Sequence, residues 1–401
     1  MRILVVSQYF YPETFRINDV VKELVRRGHT VTVLTGLPNY PEGDIFAGYE
    51  KASECVEDYF GALVYRCKLR PRKKGSFNLA LNYVSFARQA KKTIKRIKPD
   101  FDIIYFYEPS PITSGFPALW YGKKHKIKTI IYNMDIWPDC VRDSRNGKTM
   151  SKLNPIYLLA KLASRRVYKR FDCIVNKCDE FGCYLHDLFK IPLSKMKTLS
   201  EHAEETYLSV PEKPIDNGYI DFVFLGNIGK AQNCDQMIEA FNRIENSSAR
   251  LHFVGDGSYI SELKGLADRL GLSNRIIFHE RQSVEGVIKY YEMADICVLA
   301  LSNRTTSGLT PPGKLFSYMA AAKPIVASIN GSAARIIKES NCGIVSKADD
   351  VDLLAKSMDY CIKNFKSVSL LGSNGRKEFI KKYTLKAHID SLERIFSEVL
   401  K

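Results

Sequence analysis

The stretch Pro311-Pro312-Gly313-Lys314-Leu315-Phe316-Ser317-Tyr318-Met319-Ala320-Ala321-Ala322-Lys323-Pro324-Ile325-Val326 decides how this chain is read. Its proline–glycine start opens a short helix, because proline suits a first turn whose N–H groups have no partner within the helix. Lys314 then falls in that first turn, where the helix dipole disfavours a cation. An anion bound at the helix N-terminus removes the conflict; a solvated lysine is the plain alternative. The small residues 320–322 permit close packing before the next strand begins at Pro324.

Two strands upstream run into glycines. Phe222-Val223-Phe224-Leu225 leads to Gly226-Asn227-Ile228-Gly229, with a helix from about Cys234, and Leu251-His252-Phe253-Val254 leads to Gly255-Asp256-Gly257. Backbone amides in such turns can approach a phosphate closely, and a helix N-terminus favours negative charge. Each turn also serves as ordinary punctuation. A third strand, Arg275-Ile276-Ile277-Phe278, ends on His279-Glu280-Arg281. Ligands of open α/β sheets bind beyond the C-terminal strand ends. Arg281 can pair with a diphosphate there, while His279 is equally readable as a surface histidine.

The same alternation extends over the whole chain. Strand-like runs occur at 2–7, 30–36, 63–68, 101–107, 129–134, 173–177 and 196–200, then at 220–226, 250–255, 275–280, 295–301, 323–329 and 342–346. Helical patterns separate most of them, as at 16–28, 78–98, 234–245, 258–271 and 350–364. This predicts α/β domains with parallel sheets covered by helices on both faces. The alternation pauses at 204–218, where Pro211, Pro214 and Asp216-Asn217-Gly218 suggest a linker. Residues 1–203 and 219–382 are then two doubly wound domains of suitable size. Residues 367–400 read as helices with no strand after them, and the last, about 383–401, is expected to pack back on the first domain.

At 401 residues the chain is long for a single core, and 45% hydrophobic with 26% charged residues is ordinary for a globular protein. No run of 18 apolar residues marks a transmembrane helix. Residues 1–7 read as a short strand and not as a signal peptide. The ten cysteines form no CxxC pair; Cys173, Cys178 and Cys183 are read as free thiols in a reducing compartment, and no metal site is expected. Residues 1–200 hold 35 Lys and Arg against 19 Asp and Glu, so the whole net charge of +16 lies in that half. A field so one-sided points to an anionic partner.

At these motifs the chain resembles the family 4 glycosyltransferases, whose GT-B fold sets two Rossmann-like domains across a cleft. Their hallmark is a P-x-K-x-x-E-Y-M-A-x-G-K-P-type helix followed by a strand. Tyr9-Phe10-Tyr11-Pro12-Glu13, Glu23-Leu24-Val25-Arg26-Arg27-Gly28-His29-Thr30-Val31, Gly255-Asp256-Gly257 and Tyr291-Glu292-Met293-Ala294-Asp295 match further family landmarks. Thr35-Gly36-Leu37-Pro38-Asn39-Tyr40-Pro41, Asp135-Ile136-Trp137-Pro138 and Gly226-Asn227-Ile228-Gly229-Lys230-Ala231-Gln232 are similar to the amino-sugar transferases of bacterial O-antigen and capsule assembly, N-acetylfucosamine transferases among them. The resemblance implies a UDP-sugar donor carrying an N-acetylated deoxy-amino sugar, bound by the second domain as substrate with no cofactor. It implies an undecaprenyl-diphosphate-linked saccharide as acceptor.

The chain also departs from the family. Two glutamates with seven residues between them are expected in the second domain, yet their positions hold Leu309 and Ser317. Ser317 can hold a donor ribose only weakly. The family's phosphate-turn cations fall near Asn227 and Gln232, and its first-loop glycines fall around Thr14-Phe15-Arg16. The cation supply is therefore expected to shift to Lys314, Arg281 and Arg304, with Arg16 reaching across the cleft. Asn39 and Tyr40 are the candidates on the acceptor side.

The resemblance further implies transfer without an obligatory metal, amides and Lys/Arg taking the cation's place, and retention of anomeric configuration. Asp135, after a predicted strand, is the first candidate to face the reacting sugar; Glu108 in Tyr107-Glu108-Pro109 is the second. Either residue alternatively serves as a loop cap. The basic half suits a lipid-linked acceptor. Phe77 to Ala87 are mostly apolar and aromatic and lead into Arg88, Lys91, Lys92, Lys95, Arg96 and Lys98. That pattern reads as an element on an anionic membrane surface, or as a core-packed helix with a solvated basic face. The expectation is a cytoplasmic enzyme peripheral to the plasma membrane. A UDP-sugar 2-epimerase and a catalytically weak partner subunit are the competing readings. Nucleic acid is not an expected partner, since no RRM, KH or zinc module is visible.

Overall fold

Ile3-Leu4-Val5-Val6 and Ile103-Ile104-Tyr105-Phe106 are buried at every position, not at alternate ones. Such runs belong in the middle of a parallel sheet covered on both faces, and the two pair with each other in register, Ile3 beside Ile103. The computed structural model describes residues 1–73, 75–109, 111–140, 151–212, 217–302 and 309–401. They form two units, residues 1–200 with 388–401, and residues 201–387. Both have the α/β, Rossmann-like architecture expected from the sequence.

In the first unit β1 (Arg2–Val6), β2 (Thr30–Gly36), β3 (Val56–Tyr59), β4 (Ala62–Cys67), β5 (Ile103–Glu108), β6 (Lys128–Asn133), β7 (Cys173–Asn176) and β8 (Met196–Thr198) make one sheet of order β3-β4-β2-β1-β5-β6-β7-β8. All neighbours are parallel except β3 and β4. Those two form a hairpin through Phe60 and Gly61, both at positive φ, the backbone a two-residue hairpin turn demands. Sequence reading missed β3 because Val-Glu-Asp-Tyr is a charged edge strand without apolar alternation. It also missed the helix Pro155–Arg170, which Asn154 caps by accepting the Ile156 N–H at 2.9 Å. Apolar residues lie on more than one side of that helix, so its period is blurred.

The helix Ser76–Thr93 covers the expected 78–98 segment together with a short 3₁₀ turn, Ile94–Arg96. It turns Asn82, Phe86 and Ala90 into the core, and Val84 is its only exposed large apolar residue among the described side chains. The helix Leu385–Leu400 sets Phe396 edge-on against Tyr105 of β5, and Glu393 accepts from Arg27 and His29. Among the described residues no helix is long and apolar enough to cross a membrane.

In the second unit β9 (Ile220–Leu225), β10 (Ala249–Val254), β11 (Ile276–His279), β12 (Ile296–Ala300), β13 (Ile325–Ser328) and β14 (Gly343–Ser346) form a parallel sheet of order β11-β10-β9-β12-β13-β14. Alternate residues feed two cores. Phe222, Phe224, Phe253 and Val298 meet the helices Cys234–Phe241 and Val351–Lys363, while Val223, Leu225, Cys297 and Leu299 meet Gly313–Ala320 and Leu371–Lys382. The stretch read as a linker contributes to this unit: Tyr207, in the 3₁₀ turn Glu205–Ser209, packs edge-on against Tyr291. Residues 213–216 lie outside the described residues, as does Lys74.

At the base of β9, Asp221 is fully buried and accepts from Arg250 Nε at 2.7 Å, Arg250 Nη2 at 2.8 Å, His252 Nε2 at 3.0 Å and Asn217 Nδ2 at 2.7 Å. Burial acts to raise its pKa, but the bonds from His252, Arg250 and Asn217 outweigh it and hold the carboxyl well below the usual range. A depressed pKa stabilises the fold above the unfolded-chain value of about 3.9 and loses that stabilisation as pH falls below it. Asp221→Asn is therefore expected to cost about 3 kcal/mol at neutral pH, with the wild-type and variant melting temperatures converging below pH 4. Thermal unfolding followed across pH checks both statements.

Candidate functional site

The second sheet reverses its winding between β9 and β12, the position at which doubly wound sheets open a crevice beyond their C-terminal strand ends. β9 runs out at Leu225 and β10 at Val254, which are paired in register, so the two glycine turns lie side by side. A Cβ on Gly255 would stand 2.0 Å from the Gly226 carbonyl oxygen, and one on Gly257 2.1 Å from that of Ile228. Gly226 and Gly255 also have φ of 129° and 147°, which side-chain-bearing residues rarely adopt. The turns are tied together by Ile228 N–H donating to Asp256 O and Gly226 N–H to Val254 O, each at 2.9 Å.

The helix Gly313–Ala320 follows β12 and starts beneath these turns. Tyr318 anchors it, its hydroxyl accepting the Leu225 N–H at 3.0 Å. Behind it the small residues Ala320–Ala322 admit a second helix so closely that a Cβ on Gly372 would fall 1.9 Å from Ala322 O. Lys314 projects toward Gly226, whose missing Cβ would lie 3.2 Å from the Lys314 Nζ. That Nζ is buried, has no hydrogen-bond partner among the described residues and stands 3.7 Å from the centre of the Phe224 ring. Burial pushes its pKa down to about 7. An ammonium so placed is costly unless a counter-ion arrives. In front of the turns lies a cavity of about 450 Å³ lined by Gly226, Asn227, Gly255, Asp256, Gly257 and Arg281.

Most of the donor-side candidates thus come together. Gly229 helps shape the turn, with its N–H donating to Gln232 Oε1 at 3.2 Å. Asp256 bonds its own turn, accepting from Gly257 N–H at 2.7 Å. Ser317 is buried one helical turn beyond Lys314. His279 is committed elsewhere: its ring stacks on His252, with Nε2 3.0 Å from His252 Nδ1, and touches Tyr290. Burial and the neighbouring His252 push it down to about 4. Arg304 lies outside the described residues. Sequence reading missed Tyr318 and Gln232, whose roles come from the partners the fold gives them.

In the first unit the candidates sit at the C-terminal edge of the sheet. Glu108, the last residue of β5, is fully buried; its Oε2 accepts from Met134 N–H at 3.3 Å and Oε1 has no hydrogen-bond partner among the described residues. Burial, reinforced by nearby Asp135, raises its pKa well above the carboxylate range. Asp135, just past β6, is only partly buried. Asn39 is fully buried and its Oδ1 accepts from Arg72 N–H at 3.1 Å. Tyr40 is exposed, its ring packed near Tyr9 and Phe15, with the Arg72 guanidinium 5.0 Å from its centre. Arg16 stands at the N-terminus of the helix Ile17–Arg26. Sequence reading assigned Glu13 no role. It is buried, accepting the N–H groups of Phe10 at 3.1 Å and of Asn39 and Tyr40 at 2.8 Å, and so clasps the loops that follow β1 and β2. Burial, partly offset by those bonds, pushes it up to about 7.

Comparison with known proteins agrees with this architecture. A family model described as Glycosyltransferase Family 4 matches residues 16–200, and one described as Glycosyl transferases group 1 matches residues 209–378. The putative colanic acid biosynthesis glycosyl transferase WcaI of Escherichia coli K12 is 25% identical over 339 residues, covering 80% of this chain and 81% of that one. The O-antigen chain mannosyltransferase C of Escherichia coli is 23% identical over 415 residues, covering 100% and 99%. In fold, the chain is similar to the Anabaena protein HepE solved in complex with UDP, with a TM-score of 0.72 at 13% identity and coverage of 99% and 100%. Matched by one model along its first sheet and by the other along its second, this chain belongs to the family 4 glycosyltransferases of GT-B fold.

Proposed function

We propose that this enzyme transfers a sugar from a UDP-sugar to a lipid-linked saccharide during assembly of a bacterial surface polysaccharide, O-antigen or capsule. The observation that carries the donor half is the buried Lys314 amine beneath two glycine turns, with no hydrogen-bond partner among the described residues. A diphosphate in the cavity would supply its counter-ion, and turn amides with Arg281 would share the remaining charge. As the sugar–phosphate bond breaks, negative charge grows on the departing diphosphate, so a preorganised cation stabilises the transition state more than the ground state. On this reading the cation's role falls to Lys314 and Arg281 and needs no metal. UDP bound to HepE and the names of the O-antigen and colanic acid relatives support the donor and the pathway.

An N-acetylated deoxy-amino sugar as cargo and an undecaprenyl-diphosphate-linked acceptor rest on the motif resemblance at 35–41, 135–138 and 226–232. We read the reaction as retaining. The acceptor hydroxyl attacks the anomeric carbon on the face from which UDP departs, and the leaving phosphate oxygen takes the hydroxyl proton. Asp135 is assigned to face the developing positive charge on the sugar. Glu108, fully buried with its pKa raised by that burial, is assigned to support the Met134–Asp135 backbone.

Four outcomes follow from these assignments. In a thermal-shift panel, UDP should stabilise the protein more than GDP or dTDP at equal concentration; equal shifts for all three would refute the uridine reading. Lys314→Met should weaken UDP binding by about 10- to 100-fold and yet raise the Tm of the ligand-free protein by about 2–4 °C, because an uncompensated buried cation is gone. Since Lys314 titrates near pH 7 without ligand and binds diphosphate only when protonated, wild-type UDP affinity should be full below pH 7 and decline above it by up to about tenfold per unit. Calorimetric titration at several pH values reads both effects. Asp135→Asn should lower kcat by about 100-fold or more while leaving UDP affinity nearly unchanged; single-turnover kinetics decide, and an unaltered rate removes Asp135 from the reaction.

A further inference from the structure

The helix Pro155–Arg170 faces outward in a way a soluble helix rarely does. Its inner side buries Tyr157, Ser164, Val167 and Tyr168. Its outer side should then be polar, yet Leu159 is 68% exposed and Ile156 57%, with Leu158, Leu162 and the preceding Leu153 exposed as well. Leu158, Leu159 and Leu162 fall at helical spacing on one face, and Arg166 and Lys169 continue that face toward the C-terminus. Residues 151–171 contain Lys152, Lys161, Arg165, Arg166, Lys169 and Arg170 and not one acidic residue. An exposed apolar patch of this kind marks an interaction surface, and its cationic surroundings select an anionic partner.

A second observation adjoins it. Arg170, at the end of the helix, also lines a cavity of about 850 Å³ with Phe116, Trp120, Lys91, Lys123 and Lys128. The ammonium groups of Lys91 and Lys124 lie 5.3 Å from the Trp120 ring centre and that of Lys95 lies 5.6 Å away. Asp172 is the one carboxylate in the lining, and Lys128 already pairs with it at 3.6 Å. Several ammonium groups around one indole repel each other unless an anion joins them. Tryptophan beside lysine is also the pairing favoured at the level of lipid headgroups.

We propose that the outer face of the helix Pro155–Arg170 and the adjoining Trp120 groove form a docking surface for an anionic phospholipid bilayer. The leucines enter the boundary between headgroups and acyl chains, the arginines and lysines of the helix lie against lipid phosphates, and the groove receives a headgroup. A second copy of this chain fits the surface poorly. A two-fold contact would set each cluster of Arg165, Arg166 and Lys169 against a like cluster with no carboxylate between them. The proposal deepens the reading of the acceptor as lipid-linked and rests on it only for the purpose the docking serves.

Flotation of the full chain with vesicles of phosphatidylcholine, alone or mixed with phosphatidylglycerol, tests it. The wild type is expected to float only with the anionic vesicles and to detach as salt is raised. The double variant Leu159→Ser/Leu162→Ser and the triple variant Arg165→Gln/Arg166→Gln/Lys169→Gln should each lose vesicle partitioning by roughly tenfold or more. Both should keep the wild-type UDP thermal shift, which reports on the other unit and shows that the variants are folded. Three results would overturn the proposal: a wild type that stays with the unbound fraction, variants that float as it does, or a dimer in sedimentation that the leucine substitutions dissociate without any vesicle binding. UDP binding without vesicle binding sinks the docking surface and leaves the transferase reading standing; vesicle binding without nucleotide binding does the reverse.

Discussion

A buried lysine amine with no hydrogen-bond partner among the described residues is the constraint around which the donor side of the second unit is arranged. Lys314 reaches close under Gly226, where a Cβ would stand 3.2 Å from its Nζ, and the turn carrying Gly226 can lie against its neighbour only because Gly255 and Gly257 lack side chains. Tyr318 ties the lysine's helix to the end of β9, and Ala320–Ala322 with Gly372 let a second helix press on it from behind. At Gly255, Gly257 and Gly372 one added methyl group would block the approach. The outcome is a cation aimed at a cavity at the switch point of the sheet, poised by desolvation to gain from any anion that enters.

The first unit solves a different problem, which is to hold irregular loops in place at the edge of its sheet. Buried backbone amides need acceptors, and two carboxyl groups supply them. Glu13 joins the loops after β1 and β2 through three N–H groups, and Glu108 takes the Met134 N–H beside Asp135. Asn39 completes the frame by taking the Arg72 N–H. Residues that look like substrate ligands in the sequence are therefore partly scaffold. Tyr40 and Asp135, carried on the framed loops, retain access to solvent.

Charge and apolar surface are also divided differently from what a linear reading suggests. The cationic excess of the first 200 residues is visible in composition, and the segment 77–98 looks like its functional expression. Folding turns Asn82, Phe86 and Ala90 of that helix inward and leaves Arg88, Lys91 and Lys92 exposed. The helix Pro155–Arg170, which lacks a clean amphipathic period, carries the exposed leucines. Periodicity locates helices that are polar outside; it fails where the outer face is apolar too.

The fold and the donor-side turns were legible in the linear order of residues, because parallel strands buried on both faces need continuous apolar runs and a strand-to-helix turn under close approach needs glycine. Lys314 stood out for an equally local reason, a cation in the first turn of a helix. The β3 edge strand was not legible, since charged edge residues carry no apolar alternation. What tertiary structure alone decided was which polar groups have partners. His279 turned to His252, Asn39 and Glu108 went into the core, Glu13 became the clasp of two loops and Tyr318 the tether of a helix. Those outcomes depend on contacts between residues far apart in the chain, and burial, which sets both hydrogen bonding and protonation, is a property of the packed whole.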